Sequence, residues 1–466
     1  MADRPDPLAA VGRALVMGVA ASGLVSIRAL RSAGIEVVVT DDRADAPGLQ
    51  EARAAGADVL DGAPSQIGSE VLAEVDLVVV SPGVPEHAPM LREALAAGLP
   101  VWSEPELGWR LHPRRVIAIT GTNGKTSTTE LVTAMLRAGG VDAHACGNIG
   151  RAFTEAASAS DAGATLVAEL SSAQLRFCHA LRPEVGVLLN LAPDHLDWHG
   201  GVEPYGAAKA RMWRQQRAGQ WAVVNADDPA TLDLAAAHAR GDVACFSGTA
   251  TRVGRWPAGV HVRGGRYVST LPGREGELFG IDELAVAAPH HLANTAAAAA
   301  AALLADVPGD AVALAARSFR PGRHRVETVA ESGGVTWVDD SKATNPHAAA
   351  AALSSFDRVV WIAGGIAKGV DLSVLGRHLD NVRHAILIGE SAVELAAVCS
   401  ASDVPATRAG SMDEAVEVAA RLAQPGDTVL LAPACSSFDM FRDYADRGDR
   451  FADAARRQVE GARGRS

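Results

Sequence analysis

The chain has 466 residues, of which 48% are hydrophobic and 46 are glycine, a composition typical of a globular α/β protein with two to four domains. Its formal net charge of −12 argues against general nucleic-acid binding, which needs a basic face, but leaves local nucleotide sites open. Five widely spaced cysteines predict a reduced cytoplasmic protein, and an N-terminus without a basic segment predicts no signal peptide. The alanine run at 296–301 is too short and too weakly apolar to predict a membrane span.

Residues 1–103 are predicted to form a Rossmann-like domain. Its elements are a strand at 14–17, a glycine turn at 18–23, a helix at 24–32, a strand at 35–40 that ends at Asp41-Asp42-Arg43, and a strand at 77–80 that ends at Ser81-Pro82-Gly83. Ala20 replaces the middle glycine of the dinucleotide fingerprint, which argues against a nicotinamide site. Another diphosphate could bind at the helix start, and a doubly wound fold without a ligand is the alternative.

The strongest motif opens the central domain, residues 104–320. An apolar run at 116–119 leads into Thr120-Gly121-Thr122-Asn123-Gly124-Lys125-Thr126-Ser127, which predicts a strand, a turn and a helix in that order. The unpaired N–H groups of a helix start bind phosphate, Lys125 could reach a terminal phosphate, and Thr126 could hold Mg²⁺. Ile119 stands where a P-loop usually has its first glycine, so the loop is shortened. The alternative is a strand–turn–helix with a chance lysine.

Three further predicted strands of the central domain end in polar residues. Their ends are Glu169 after 166–168, Asn190 to Asp197 after 185–189, and Asn225 to Pro229 after 221–224. In an open parallel sheet such ends face the ligand crevice. A glycine-rich segment from Gly254 to Gly280 predicts a hairpin, and Pro289 begins a long alanine-rich helix. The Asp227-Asp228-Pro229 run is interpreted as a turn, and His290 and His291 as residues that flank the helix.

Residues 321–466 repeat the alternation of strands and helices, which predicts a second Rossmann-like domain with a mainly parallel sheet. The polar segments at its strand ends are Asp340–Pro346, Gly364–Gly369 with Lys368, and Ala432–Asp439. Each alone is also typical of a capped helix or an ordinary loop, but three at one sheet edge favour an anionic small-molecule site. Cys435 is interpreted as a packed side chain, and the Arg- and Ala-rich tail after Phe451 is expected to fray.

Seven motifs together resemble those of the Mur ligase family of peptidoglycan synthesis, over essentially the whole chain. They are TGTNGKTSTT, AELSSAQL, NLAPDHLD, YGAAKARMW, GRHR, DDSKATNP and PACSSFD. DDSKATNP most resembles the branch that adds D-glutamate. The resemblance implies three α/β domains and ATP-dependent addition of D-glutamate to UDP-N-acetylmuramoyl-L-alanine through an acyl phosphate. It also implies two Mg²⁺ ions, a carbamylated lysine and a cytoplasmic monomer.

The resemblance assigns roles to individual residues. The catalytic residues would be Lys125, Glu169, His195 and Lys209. ATP would be bound by Gly121, Thr122, Asn123, Gly124, Lys125, Thr126, Ser127, Asn294, Arg325 and Asp340. The metal ions would be held by Thr126, Glu169, His195 and Lys209 as its carbamate. The UDP-substrate would be bound by Ser22, Gly23, Asp42, Arg43, Ser81, Pro82, Gly83, Asn148 and Gln174, and D-glutamate by Lys342, Thr344, Lys368, Ser437 and Tyr444.

Two residues depart from the family pattern: Trp198 stands where a basic residue is expected, and Asp42 where the UDP site often has a hydroxyl. Three alternatives remain open at this point. The first is a sister Mur ligase or a ligase like folylpolyglutamate synthase that uses another amino acid, from which the 340–345 segment and Lys368 would distinguish the chain. The others are a nicotinamide oxidoreductase and a non-catalytic nucleotide-binding regulator.

Overall fold

The computed structural model describes residues 7–60, 69–249, 256–286 and 288–463. These residues form three sheets, of five, nine and six strands. Two compact units divide the chain: the first carries the first two sheets, and the second carries the third sheet together with residues 192–197 and 288–290. The expectation of three α/β domains with mainly parallel sheets is confirmed. Within the described ranges, no helix is both long and apolar enough to cross a bilayer.

The first sheet is entirely parallel, with strand order β3-β2-β1-β4-β5. Its elements are β1 (Arg13–Met17), α1 (Ala21–Ser32), β2 (Glu36–Thr40), α2 (Gly48–Ala54), β3 (Asp58–Val59), β4 (Leu77–Val80), α3 (Pro89–Ala96), β5 (Val101–Ser103) and α4 (Glu104–Leu111). The chain leaves β1 toward β2 on one side and later returns to β4 on the other. The ends of β1 and β4 therefore flank a topological switch point, where α/β sheets bind ligands.

The second sheet has the order β14-β13-β12-β11-β10-β9-β6-β8-β7, so the strand of the TGTNGKT motif lies at its interior. Its elements are β6 (Arg115–Thr120), α5 (Lys125–Ala138), β7 (Ala143–Gly147), α6 (Phe153–Ala159), β8 (Thr165–Glu169), α7 (Ser172–Arg176), β9 (Val185–Leu188), α8 (Leu196–His199), α9 (Val202–Ala210), β10 (Trp221–Asn225), α10 (Pro229–His238), β11 (Asp242–Ser247), β12 (Gly259–Arg263), β13 (Arg266–Ser269), β14 (Gly276–Gly280), α11 (Pro289–Leu304) and α12 (Gly309–Ser318). The predicted hairpin is confirmed as antiparallel β12–β13.

The alanine-rich helix α11 lies in the core beside this sheet. Residues 296–302 of α11 have no exposed surface and belong to the same apolar cluster as β6 and α5. Alanine has no side-chain entropy to lose and little volume, so its run lets the helix pack closely while keeping high helix propensity. This close packing places the first turns of α11 beside the start of α5.

The third sheet has the order β15-β16-β20-β17-β18-β19, in which only the edge strand β15 is antiparallel. Its elements are β15 (Glu327–Ser332), β16 (Val335–Asp339), α13 (Pro346–Leu353), β17 (Val359–Gly364), β18 (Val382–Ile388), α14 (Ala392–Ala401), β19 (Ala406–Arg408), α15 (Met412–Leu422), β20 (Thr428–Leu431) and α16 (Tyr444–Arg463). The three predicted polar segments follow β16, β17 and β20, which are neighbours in the sheet.

The expectation that the tail frays after Phe451 is wrong for the described residues, because α16 continues to Arg463. Phe451 and Ala455 have no exposed surface, and Val459 is 8% exposed. Their spacing of four places them on one helix face, which packs into the apolar cluster of β17 and β20. Because many other residues of this segment are charged, its composition alone does not reveal the apolar face.

Candidate active site

The loop between β6 and α5 has the close-packed backbone of a phosphate-binding turn. Gly124 immediately precedes α5 with φ of 83°, a conformation that favours glycine. A Cβ atom at Gly124 would lie 2.5 Å from Oδ1 of Asn294 in α11. The structure therefore brings Asn294, one of the predicted ATP residues, against this loop. The N-terminus of α5 adds partial positive charge at the same place.

Two lysines converge on the carbonyl oxygen of Gly121. Lys125 Nζ donates to it at 3.0 Å and also to the Thr122 carbonyl at 2.8 Å. Lys209 Nζ donates to the same Gly121 oxygen at 2.8 Å, and the Lys209 side chain is buried with 1% exposure. The ring of Tyr205 lies 4.4 Å from Lys209 Nζ, and its hydroxyl is 3.1 Å from Thr122 Oγ1. The Lys125 ammonium, at the start of α5, suits a polyphosphate ligand.

Glu169 provides a buried carboxylate at the same sheet edge. It ends β8, which pairs with β6 so that Glu169 lies opposite Ile119. Its Oε1 accepts from Asn148 Nδ2 at 3.0 Å, whereas its buried Oε2 has no hydrogen-bond partner among the described residues. A buried carboxylate oxygen without a partner fits a divalent cation, because Mg²⁺ prefers oxygen ligands. Thr126, in the first turn of α5, could add its hydroxyl.

Gln174 is largely engaged by its own helix. Its Oε1 accepts from the Ser171 backbone N–H at 2.9 Å in the capping box of α7, and the residue is 2% exposed. Asn148, by contrast, is exposed. Of the two residues predicted to contact the muramoyl group, Asn148 is thus the more accessible.

His195 lies in the 192–197 segment of the second unit. Its φ of 51° is uncommon for a residue other than glycine, and its imidazole is 53% exposed. Its Nε2 is 3.8 Å from Asp194 Oδ2, which also accepts from Asn345 Nδ2 at 3.3 Å. Asn345 in turn caps α13 by accepting from the Ala348 N–H. The His195 imidazole is therefore accessible to solvent, on a segment that the hydrogen bond from Asn345 to Asp194 holds in place.

The predicted UDP residues of β1 and β4 come together at the switch point of the first sheet. Ser81 Oγ donates to the Gly18 carbonyl at 2.9 Å. Ser22 and Gly23 lie in the first turn of α1, where a Cβ at Gly23 would meet the Gly18 oxygen at 1.9 Å. Gly23 must therefore be glycine for α1 to begin this close to the turn. Pro82 continues the Ser81 turn at the same edge.

The end of β2 completes this edge. Asp42 and Arg43 are exposed there, and so remain available to a ligand. Asp41, which sequence reasoning did not select, accepts from the Val19 N–H at 2.9 Å and from the Arg43 N–H at 3.0 Å. It fixes the position of the two predicted residues relative to the β1 turn.

The third sheet brings residues from distant parts of the chain together. Lys342 Nζ lies 3.7 Å from the centre of the Tyr444 ring, within cation–π distance. Ser437 is 3% exposed in the segment after β20, and Lys368 is exposed with φ of 52° in the segment after β17. These two segments pair through Ile366 and Ser436, whose N–H groups each donate to the other's carbonyl. Thr344 lies two residues beyond Lys342, and its N–H donates to the Lys342 carbonyl.

Arg447 is a buried charged residue at this sheet edge that sequence reasoning did not select. Its guanidinium has no exposed surface, and burial lowers its pKa to about 10. It donates to Ser341 Oγ at 3.0 Å, to the Ser341 carbonyl at 2.9 Å and to the Cys435 carbonyl at 3.0 Å. A longer contact of 3.4 Å reaches the Gly364 carbonyl. One side chain of α16 thus ties together the segments after β16, β17 and β20.

His324 and Asp339 form a buried pair beside these segments. Asp339 accepts from His324 Nδ1 at 2.7 Å and from the Ser341 N–H at 2.8 Å, and the first bond raises the pKa of His324. Glu327 lies near enough to complete a possible metal trio. Its Oε2, however, accepts from the His324 N–H at 2.9 Å. We therefore interpret the trio as a support for the Asp340 loop.

Burial raises the pKa of Asp340, a predicted ATP residue, to about 7. The pKa of an aspartate in the unfolded chain is near 3.8, so between about pH 4 and pH 7 the folded chain keeps a proton on Asp340 that the unfolded chain has lost. The folded chain therefore loses stability as pH rises from about 4 to 7. We expect Asp340→Asn to raise the free energy of unfolding at pH 8 by up to about 4 kcal/mol, and therefore to raise the thermal midpoint there. It should have no such effect at pH 4. Thermal unfolding across this pH range checks the prediction. Exposed Asp357, changed to asparagine, is the control, and equal midpoints for D340N and wild type at pH 8 would contradict it.

The residues interpreted without a functional role behave as expected. Cys435 is buried, and burial raises the pKa of its thiol to about 11, so it is not a thiolate nucleophile. Asp228 caps α10 by accepting from the Ala230 N–H, and Asp227 accepts from Ser247 Oγ, so both carboxylates stabilise loops. All five cysteines are buried and free.

One property of the sequence could have identified the site without any motif. The chain contains only four lysines, Lys125, Lys209, Lys342 and Lys368, and arginine supplies every other long basic side chain. Each of the four lies at a candidate site: Lys125 and Lys209 beside the second sheet, and Lys342 and Lys368 at the edge of the third. A compact ammonium with three donors differs from a planar guanidinium in what it can bind.

Three segments of the chain match Mur ligase domains. Residues 12–103 match the MurD-like N-terminal domain, residues 119–302 the Mur ligase middle domain, and residues 324–435 the glutamate ligase domain of Mur ligases. Two similar solved structures are MurF from Acinetobacter baumannii, with a TM-score of 0.62 over 95% of this chain and 93% of that one at 17% identity, and MurF from Thermotoga maritima in complex with ADP, with a TM-score of 0.58 over 92% and 96% at 16% identity. At these identities they show the fold alone.

Curated relatives are much more similar in sequence. The UDP-N-acetylmuramoylalanine–D-glutamate ligase of Frankia casuarinae is 48% identical over 451 residues, which cover 95% of this chain and 93% of the relative. The ligase of the same name from Thermobifida fusca is 43% identical over 460 residues, which cover 94% and 97%. The motifs, the three-domain fold and this full-length similarity agree: the chain belongs to the Mur ligase family.

Proposed function

We propose that the chain adds D-glutamate to UDP-N-acetylmuramoyl-L-alanine with consumption of ATP, as a cytoplasmic monomer in the synthesis of peptidoglycan precursors. The observation that carries the proposal is the convergence of Lys125 and Lys209 on the Gly121 carbonyl beside the buried carboxylate of Glu169. The names of the relatives support D-glutamate as the amino acid. In this proposal residues 1–103 bind the UDP-substrate, residues 104–320 bind ATP, and residues 321–466 bind D-glutamate.

The first chemical step joins phosphate to the substrate carboxylate. A carboxylate oxygen attacks the γ-phosphorus of ATP, the bond to the β-phosphate oxygen breaks, and ADP leaves. Lys125, the N–H groups of the α5 start and the flanking residues of the loop hold the phosphates in line. Asn294 and Arg325, with Asp340, hold the base, phosphate and ribose regions of ATP. Catalysis of this kind comes mainly from positioning and from neutralising charge.

The second step forms the amide bond. The neutral amine nitrogen of D-glutamate attacks the acyl carbon, and the tetrahedral intermediate collapses as the bond to the phosphate oxygen breaks. The nitrogen loses one proton, which the leaving phosphate can accept. Lys342 and Lys368 suit the two carboxylates of D-glutamate, and the hydroxyls of Thr344 and Ser437 can complete their hydrogen bonds. The Tyr444 ring holds Lys342 in position from one side.

The proposal includes two Mg²⁺ ions, held by Thr126, Glu169, His195 and Lys209 as its carbamate. When bound, the ions would offset the negative charge of phosphates and carboxylates. The partnerless Oε2 of Glu169 fits this role. A carbamylated Lys209 would keep one N–H on Nζ to donate to the Gly121 carbonyl, and its carbamate oxygens would supply anionic ligands to the ion.

Phosphate release tests the proposed function. We expect release from ATP only when both UDP-N-acetylmuramoyl-L-alanine and D-glutamate are present. A panel that replaces D-glutamate by L-glutamate, L-alanine or meso-diaminopimelate tests the sister-ligase alternative. Release with one of those and not with D-glutamate would overturn the assigned specificity, and binding of NAD(H) or NADP(H) would favour the oxidoreductase alternative.

Replacing Lys209 with alanine should lower turnover roughly hundredfold, because the site loses a charged group next to the phosphate loop. A small carboxylate such as acetate should partly restore it by supplying the anion that the carbamate would have provided. Phosphate release as a function of acetate concentration measures the rescue. Lys125→Ala is the matched control, since its proposed role is that of a cation and acetate should not rescue it.

Carbon-13 NMR with labelled bicarbonate gives an independent measurement, since only four lysines could carry a carbamate. The carbamate signal should be present in the wild type and absent from Lys209→Ala. Absence of rescue at every acetate concentration, together with an unchanged spectrum, would count against carbamylation.

A further inference from the structure

Trp198, the residue that departs from the family pattern, contacts the proposed UDP-binding turn of the first domain. It is half-buried, and its indole N–H donates to the Val84 carbonyl at 3.1 Å. Val84 closes the turn of residues 81–84, because its own N–H donates to the Ser81 carbonyl at 3.0 Å. The indole thus binds the end of the turn whose other end, Ser81, lies against the glycine turn after β1.

A second contact fixes the same segment. Glu86, two residues beyond Val84, accepts from Arg176 Nη2 of α7 at 2.5 Å. Phe177, which follows Arg176 in the chain, is buried, and its ring lies edge-on to the Trp198 ring with centroids 6.5 Å apart. The 81–86 segment is therefore tied to the central domain at two points, by Trp198 and by Arg176, and the Trp198 ring packs against Phe177, the residue that follows Arg176.

Ring contacts continue from Trp198 to the phosphate loop. The rings of Trp198 and His199 have centroids 4.3 Å apart, and His199 Nε2 is 2.8 Å from Ser172 Oγ. The His199 and Tyr205 rings meet edge-on at 5.3 Å. Tyr205 in turn contacts Thr122 Oγ1 and Lys209 Nζ, as described above. A continuous series of packed side chains therefore joins the 81–84 turn to the loop before α5.

We infer that Trp198 is a positioning residue that holds the 81–84 turn at a fixed distance from the phosphate loop. The inference rests on the proposed function: the substrate is long, its nucleotide end is bound by the first domain, and its carboxylate must meet the γ-phosphate of ATP. The indole of Trp198, a flat ring with one N–H, packs against both Phe177 and His199 and also binds a carbonyl.

The variant Trp198→Phe tests the inference, because it keeps a ring against Phe177 and His199 but loses the bond to Val84. Without this bond, only a fraction of the molecules has the 81–84 turn in the conformation that binds the UDP-substrate. The apparent affinity for that substrate is reduced by the same fraction. We expect the KM for UDP-N-acetylmuramoyl-L-alanine to rise about two- to tenfold, the range that one hydrogen bond gives. The kcat and the KM values for ATP and D-glutamate should change less than twofold.

Trp213→Phe is the matched control. Trp213 has no exposed surface, and its indole N–H donates to the Gly186 carbonyl at 2.9 Å, so the change removes the same kind of bond from the same unit. It should lower the thermal midpoint without a selective change in any KM. A wild-type KM for the UDP-substrate in Trp198→Phe, or a parallel change of all kinetic parameters that matches Trp213→Phe, would overturn the inference.

A binding measurement separates this inference from the proposed function. If the wild type releases no phosphate with the named substrates, the proposed function is wrong. Calorimetric titration with UDP alone then tests the positioning role of Trp198. Trp198→Phe should bind UDP about two- to tenfold more weakly than the wild type and than Trp213→Phe. Equal UDP affinities in the three proteins would overturn the positioning role.

Discussion

Lys125→Ala should lower phosphate release by about 10³-fold, which corresponds to about 4 kcal/mol of lost transition-state stabilisation. The expectation follows from position, since Lys125 Nζ lies at the carbonyls of Gly121 and Thr122 at the start of α5. A ligand phosphate that replaces these carbonyls as the partner of Nζ gains a charge-assisted bond that strengthens as charge moves onto the leaving oxygen. Steady-state kinetics with saturating UDP-substrate and D-glutamate measures the loss.

Arg137→Ala is the control for this prediction. Arg137 lies on the same helix, one residue before its end, and donates to the Ala143 carbonyl at 2.9 Å, away from the phosphate loop. Its loss should leave the kinetic parameters within twofold. A Lys125→Ala variant that kept more than a tenth of wild-type turnover would contradict the assigned role. Survival of a strain that depends on Lys125→Ala would favour the non-catalytic regulator.

Local sequence patterns predicted the part of the site that one strand and one helix build. An apolar run, a Gly-Lys-Thr turn and a helix start follow each other without interruption, and each step has its own short-range signal. The strand from 115 to 120 was therefore predicted to within one residue, and the helix from 125 to 138 follows the turn in the predicted order. Glu169 followed from the same reasoning, because polar residues at parallel strand ends meet at one edge.

Residues that act through backbone carbonyls were not predictable in this way. Arg447 binds the carbonyls of Ser341 and Cys435, and a carbonyl leaves no trace in the choice of side chain. Trp198 likewise binds the carbonyl of Val84, 114 residues away in the chain. Only the fold brings these groups together. Sequence reasoning noticed Trp198 solely because it departs from a family pattern, and gave no reason for it.

The helix that carries Arg447 was missed for a related reason. The segment after Phe451 contains many arginines and alanines, which suggested a solvated tail. Alanine at a buried helix position contributes little to an apolar signal, although it packs well in a tight space. The buried face of Phe451, Ala455 and Val459 is real but weak in sequence, so tertiary packing decides the structure there.

Arg447→Met should weaken both the third domain and the binding of D-glutamate. The change keeps a long side chain but leaves the carbonyls of Ser341 and Cys435 without their donor, and a buried acceptor without a partner costs about 1–3 kcal/mol. We expect a loss of about 4 kcal/mol, or about 10 °C in the thermal midpoint of a domain of this size. The segments that carry Lys342, Lys368 and Ser437 would also lose their common anchor.

The kinetic consequence distinguishes an anchor of the site from a purely structural residue. Below its unfolding transition, Arg447→Met should show a KM for D-glutamate raised more than tenfold, with the KM for UDP-N-acetylmuramoyl-L-alanine unchanged. Arg447→Lys, which keeps the charge but fewer donors, should lie between the two. Arg450→Met, three residues further along α16, is the control, because its side chain is 60% exposed and its bond to Asp446 is a surface ion pair worth at most about 1 kcal/mol. If every KM rose equally in Arg447→Met, or none changed in the folded protein, the anchoring role would be wrong, since the loss of one buried donor should affect only the ligand bound by the three segments that it joins.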